Sequence, residues 1–146
     1  MAWRRRLSVY TLVCFGLLSG AAAEGSRTSA VLVITNPAMP IQEISAEDLK
    51  AIFLRTKISL KGTAHLEPVV EKSGPAHEAF LKSYLGKTDS ALQIYYRSLV
   101  FSGQGSIPTT LSSDAEVISY VFKTRGAIGY VSASTDVGGL KTLRIR

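Results

Sequence analysis

The sequence predicts an α/β domain in which a small sheet is covered by helices, and three observations lead there. Two runs, Ala30–Ile34 and Ala127–Val131, are continuously apolar at strand length, so each reads as a strand covered on both faces. Four stretches between them carry apolar residues at helical spacing. Taken together, strands and helices alternate in the order β-α-β-α-α-α-β-β, which is the pattern of helices packed on a sheet.

The first residues stand apart from that domain. Arg4, Arg5 and Arg6 precede the apolar run Leu12–Leu18, and Ala21-Ala22-Ala23 then supplies an A-x-A pattern. Such a basic, apolar and small-residue series is a secretory signal. The run is too short to span a bilayer as a mature helix, and the A-x-A pattern favours cleavage after Ala23 over a retained anchor. The expected organisation is a signal peptide at 1–23 and one domain at 24–146. The chain has 17 Lys+Arg and 11 Asp+Glu, a net +6. The three signal arginines leave with the signal, so 14 basic residues then face 11 acidic ones, a net +3. The bases are scattered singly, which argues against a nucleic-acid partner. Cys14 is the only cysteine, so the mature domain has no disulfide framework and no thiolate chemistry.

Along the domain, residues 24–29 are a short polar tail. The strand Ala30–Ile34 is stopped by Asn36-Pro37, with Pro40 continuing the loop. Ser45 and Asp48 form a near capping box for a helix that places Leu49, Ile52 and Phe53 on one face and ends near Leu54. Lys61-Gly62-Thr63 marks a turn. Leu66–Val70 is the second strand, where Pro68 suggests an edge position or an irregular start. Ser73-Gly74-Pro75 then opens a helix with Ala76, Ala79, Phe80 and Tyr84 along one face, Ser73 serving as N-cap and Gly86 closing it. Thr88 or Asp89 caps the third helix, whose apolar positions are Leu92, Tyr95, Tyr96, Leu99 and Val100. Ser102–Ser106 is a glycine loop. Ser113 and Glu116 form a full capping box for a helix carrying Val117, Ile118, Val121 and Phe122 and ending at Gly126. After Ala127–Val131, Gly138-Gly139 turns the chain into an alternating edge strand, Thr142–Ile145.

No catalytic constellation is visible, and the chain reads as a non-enzyme. His65 and His77 are the only histidines. Without ligand spacing they read as solvated or capping residues, with no metal site and no cofactor. Three loops offer neutral donors of the kind that hold small oxyanions: Thr35-Asn36-Pro37, Ser73-Gly74 at a helix start, and Ser102–Gly105. The candidate ligand residues are Ser73, Gly74 and the N–H groups of Ala76 and His77, with Thr35 and Asn36 as secondary donors.

Three segments carry a resemblance. ITNPAMPIQEISAEDLKAIFLRTKISLKGT resembles the part of phosphate ABC-transporter substrate-binding proteins that reads V-N-P-x-N-P-I followed by L-x-x-I-F-x-G-K-x-x-x-W-x-x-G. Asn36-Pro37, Pro40-Ile41, Leu49, Ile52-Phe53, Lys57 and Gly62 match. VVEKSGPAHEAFLKSYL resembles the family's S-G-T helix start through Ser73-Gly74, Phe80 and Tyr84-Leu85. VISYVFKTRGAIGYV resembles its V-x-x-x-x-G-A-I-G-Y strand entry. The resemblance implies a single lobe of a type II periplasmic-binding-protein fold and an exported, periplasmic solute-binding-like protein. Its implied partners are a small inorganic anion such as phosphate and a membrane transporter or other envelope protein. Four positions depart from the pattern. Pro75 replaces the threonine of S-G-T, Val69 falls where an arginine is expected, Thr56 replaces the glycine before Lys57, and Leu60 replaces the tryptophan. With only one strand ahead of Asn36-Pro37, a first lobe is missing. These departures imply an alternative, an interaction module that has kept the fold and lost the ligand, or a cleft rebuilt by two copies.

Overall fold

The computed structural model describes residues 30–146. The expected signal peptide and polar tail lie outside the described residues. Five strands form the main sheet in the order β4-β3-β5-β1-β6: Thr109–Leu111, Glu67–Glu71, Ala127–Ser132, Val31–Thr35 and Lys141–Thr142. β3 runs parallel to β4 and β5, whereas β1 is antiparallel to both β5 and β6. A second, two-stranded parallel pair joins β2, Glu43–Ile44, to β7, Arg144–Ile145. The sheet is therefore mixed, small and flanked by helices, as the sequence predicts.

Strand alternation decides which helix each face receives. Val31, Val33, Val70, Ile128 and Tyr130 face α1 (Ala46–Phe53), α2 (Pro75–Phe80) and α3 (Asp89–Phe101). Ile34, Val69, Ala127 and Val131 face the other way, onto Val117 and Val121 of α4 (Asp114–Lys123). Gly129 lies on that second face, where an added Cβ would come within 3.0 Å of Val117 Cγ1. The first face is the larger core. There Phe80 stacks on Tyr130 at 3.9 Å between ring centroids, and Phe53 packs against Phe80 at 4.7 Å.

Several expectations are corrected. β3 is a central strand, not an edge, and Pro68 is tolerated for a geometric reason. Glu67 N–H points to β5, bonding Gly126 O at 2.8 Å. The next residue's donor would point to β4, whose pairing begins only at Val69, so the N–H that proline lacks has no acceptor to miss. The final strand is divided. Leu143 is buried and its N–H bonds Val33 O, so β6 stays on the main sheet while β7 crosses to β2. The second helix is α-helical only to Phe80 and widens into a π turn, Leu81–Leu85, before left-handed Gly86. Val100 and Phe122, expected on buried stripes, are 48 % and 60 % exposed.

Helix α1 ends in a paired-bond turn. Thr56 N–H bonds Ala51 O, and Arg55 N–H bonds Ile52 O. This is the Schellman arrangement, whose left-handed position is usually glycine. Here that residue is Arg55, at φ 61°. The resemblance sets its glycine against Thr56, but the backbone turns left-handed one residue earlier. The Tyr96 hydroxyl donates to Phe53 O at 2.8 Å and that of Tyr95 to Leu54 O, so α3 caps the end of α1. These tyrosines sit in and at the rim of the core, as their spacing predicts.

Candidate anion site at the end of the central strand

The parallel strands β3, β4 and β5 end together, and in open α/β sheets ligands gather at that end. Three features meet there: the turn Lys72-Ser73-Gly74, the start of α4, and the segment after β5. Lys72 N–H bonds Leu111 O at 2.8 Å, which ties the turn to the end of β4.

Gly74, not Ser73, is the N-cap of α2. It has φ 112° and no side chain to cap the helix. That φ excludes a residue with a Cβ except under strain. Pro75 then occupies the first helical position, where a missing N–H costs nothing. Ser73 is exposed. The first N–H groups of a helix have no intrahelical acceptor, so Ala76 and His77 present theirs beside Gly74 and the Ser73 hydroxyl. Four candidate residues are thus brought together.

The other two are not. Thr35 and Asn36 leave β1, which is antiparallel to β5, so they lie at the opposite end of the sheet. Five residues of strand separate the two ends, about 16 Å at the usual rise. Their donors are also committed. Thr35 Oγ1 donates to Ala127 O at 2.9 Å. Asn36 Nδ2 donates to Val121 O at 3.1 Å and Phe122 O at 2.9 Å, capping the end of α4, and its Oδ1 accepts Ala38 N–H at 2.9 Å. The Ser102–Gly105 loop likewise uses its N–H groups to finish α3, Gly103 bonding Val100 O and Gln104 bonding Leu99 O.

His77 contributes a backbone donor only. Its ring is buried, contrary to the solvated or capping role expected of it, and both nitrogens are engaged. Nδ1 lies 2.6 Å from the Tyr130 hydroxyl, and Nε2 lies 2.8 Å from Asp89 Oδ1. The Tyr130 hydroxyl also accepts Glu71 N–H at 3.0 Å. The chain Asp89–His77–Tyr130–Glu71 fastens α3, α2, β5 and β3 just below the turn. Burial raises the Tyr130 phenol well above its usual range, so this tyrosine stays protonated as a structural donor.

Glu71, two residues before Ser73, was missed as a site residue. It is 4 % exposed, and its Oε1 has no hydrogen-bond partner. Burial, then the hydrogen bond and charge of Asp114, push its carboxyl up to about 8. Burial opposes ionisation of Asp114 as well. Hydrogen bonds from Glu71, the Thr135 hydroxyl and Ser132 N–H outweigh that and hold Asp114 below its usual range. At neutral pH the pair therefore shares one proton, Glu71 acid to Asp114 carboxylate. The sequence signal was faint: an acid directly after Val69-Val70, at the end of an otherwise apolar strand.

Comparison with known proteins bears on this geometry. No family model matches the chain, and no curated protein matches it. Solved structures do. A Clostridium perfringens protein described as a phosphate ABC transporter substrate-binding protein with bound phosphate aligns with TM-score 0.61 and 17 % identity, over 80 % of this chain and 44 % of its own. An ABC-type phosphate transport receptor of Vibrio cholerae aligns at 0.59 and 17 %, over 80 % and 46 %. PstS of Borrelia burgdorferi aligns at 0.60 and 20 %, over 80 % and 47 %. This chain spans less than half the length of each. Its fold is that of one lobe of such proteins.

Proposed function

We propose that residues 24–146 form an exported, non-enzymatic, solute-binding-like domain that takes a small inorganic anion, phosphate first, at the Ser73–Gly74 turn. One observation carries this proposal. In a fold shared with phosphate-binding proteins, the turn after the central strand presents the Ser73 hydroxyl and the N–H groups of Ala76 and His77, while Gly74 leaves the helix start uncapped. Two acids precede this turn in the sequence, Glu67 and Glu71. Glu67 lies at the far end of β3, and Glu71 is held as an acid at neutral pH. The pair's one charge at neutral pH then rests on Asp114, where Ser132 N–H and the Thr135 hydroxyl bind it.

Binding is weak in this reading. A charge-assisted bond to an arginine is worth about 1.5–3 kcal/mol and a neutral one about 1 kcal/mol. Val69 and Pro75 supply neither, so affinity falls by about two orders of magnitude or more. Thermal-shift measurement of the protein with phosphate and sulfate tests this. A ligand held only by the folded state raises Tm by mass action. A rise at millimolar phosphate that Ser73→Ala reduces supports the site, and no rise with either anion rejects it.

A second reading has its own support. The chain covers under half of its structural neighbours, and the described residues make up one lobe. A periplasmic module docking on a membrane transporter or another envelope protein needs no ligand. It predicts a partner captured equally by wild type and Ser73→Ala. Export itself is tested by mass spectrometry of secreted material, which is expected to begin at Glu24.

A further inference from the structure

At the opposite end of the sheet from the Ser73 turn lies a pocket of about 220 Å³, with Arg55, His65, Glu67, Ser106 and Thr109 among its lining residues. Arg55 is its unusual member. It occupies the left-handed position closing α1, where glycine is the ordinary choice, and its Nε–H is buried with no acceptor. Its Nη2 reaches only Ser106 Oγ, at a long 3.4 Å. Nε–H and Nη2–H lie on one edge of the guanidinium plane, the edge that binds a carboxylate through two parallel bonds. A strained backbone and an orphan donor in one residue are what a purely structural position would lose by becoming glycine.

The remaining lining defines the ligand. Ser106 is exposed on the glycine loop and touches Arg55 by that single long contact. Its hydroxyl stands beside Nη2 as a third donor for a ligand at the fork. Across the pocket, Glu67 Oε1 accepts from the Tyr120 and Thr109 hydroxyls, which hold the carboxylate in place. With Glu67 opposite the guanidinium, a second negative charge on the ligand would meet a carboxylate and no donor, so one negative charge is preferred to two. The volume suits a ligand of a few heavy atoms, since a water occupies about 30 Å³.

We propose that Arg55 and Ser106 form a binding site for a small monocarboxylate, separate from the anion turn. Propionate is the probe. Titrated into the isotope-labelled protein, it is expected to shift the Arg55 Nε–H resonance and the Ser106 backbone amide saturably, the amide serving as the readout in Arg55 variants, with inorganic phosphate several-fold weaker at equal ionic strength. Arg55→Lys keeps the charge without the fork and is expected to weaken binding about tenfold. Arg55→Gly should fold and give no response, and Ser106→Ala should weaken binding. Ser73→Ala should leave propionate binding unchanged, which separates this site from the phosphate site. An unmoved or linearly drifting Nε–H resonance overturns the proposal. So does phosphate binding as tightly as propionate, or an Arg55→Lys variant with wild-type affinity.

Discussion

Glu71 converts a position at the end of a strand into a pH-sensitive one. Unfolded, its carboxyl titrates near 4.5, and folded at about 8. Below the lower value both states are protonated and stability is complete. Between the two values only the unfolded chain gains by ionising, so stability falls as pH rises and the loss ends near pH 8. Asp114, held low, acts the other way and loses its contribution only in acid. Glu71→Gln keeps a donor toward Asp114 and removes the titration. Denaturant unfolding should show the variant gaining about 3–4 kcal/mol over wild type between pH 5 and 8, and a constant difference across that range would refute the raised carboxyl. The same ionisation places a negative charge beneath the turn, so phosphate binding should weaken above pH 8 in wild type and not in the variant. Tyr130 is the neighbouring test. Tyr130→Phe strips the acceptor from Glu71 N–H and the partner from His77 Nδ1. A cost of about 2 kcal/mol is expected for such buried orphans, read as a lower midpoint in urea.

Among the elements, the close approach of the segments leading into β3 and β5 is a tight constraint. A Cβ on Gly126 would stand 2.6 Å from His65 O, a backbone atom that cannot step aside cheaply. Gly126→Ala should therefore cost about 2 kcal/mol or more, and an unchanged Tm would show that the two strands separate easily. The closing turn of α1 predicts the opposite sign, since Arg55→Gly relieves a left-handed residue and should stabilise the fold by about 1 kcal/mol. Elements that bury a continuous apolar run or repeat at helical spacing were legible in the sequence, because Val31–Ile34, Ala127–Val131 and the capping serines Ser45 and Ser113 act locally. β2 was not, for two residues carry no periodicity, and neither was the division of the predicted Thr142–Ile145 strand into β6 and β7, which comes from Leu143 anchoring the chain between two sheets. The Ser73–Gly74 turn was legible for the same local reason. Glu71 with Asp114, and Thr35 with Ala127, were not, since their partners are 43 and 92 residues away.

For the whole molecule, the outer strands are three and two residues long, and short edges protect a sheet from pairing with another chain. Sedimentation should therefore show no concentration-dependent growth through the sheet. A dimer that appears only with phosphate present would instead indicate that two copies build a cleft. The strand order has a further consequence, in time instead of space. β1 is nearly the first described segment, yet its two neighbours are β5 and β6, about a hundred residues later. At about 5–20 residues per second, the ribosome needs about 5–20 seconds to deliver those partners. For all of that interval β1 lacks both of its sheet neighbours, and the main sheet cannot close around it. If the domain is exported as proposed above, the same strand order would leave the polypeptide extended enough to thread a secretion channel while β1 waits for its neighbours.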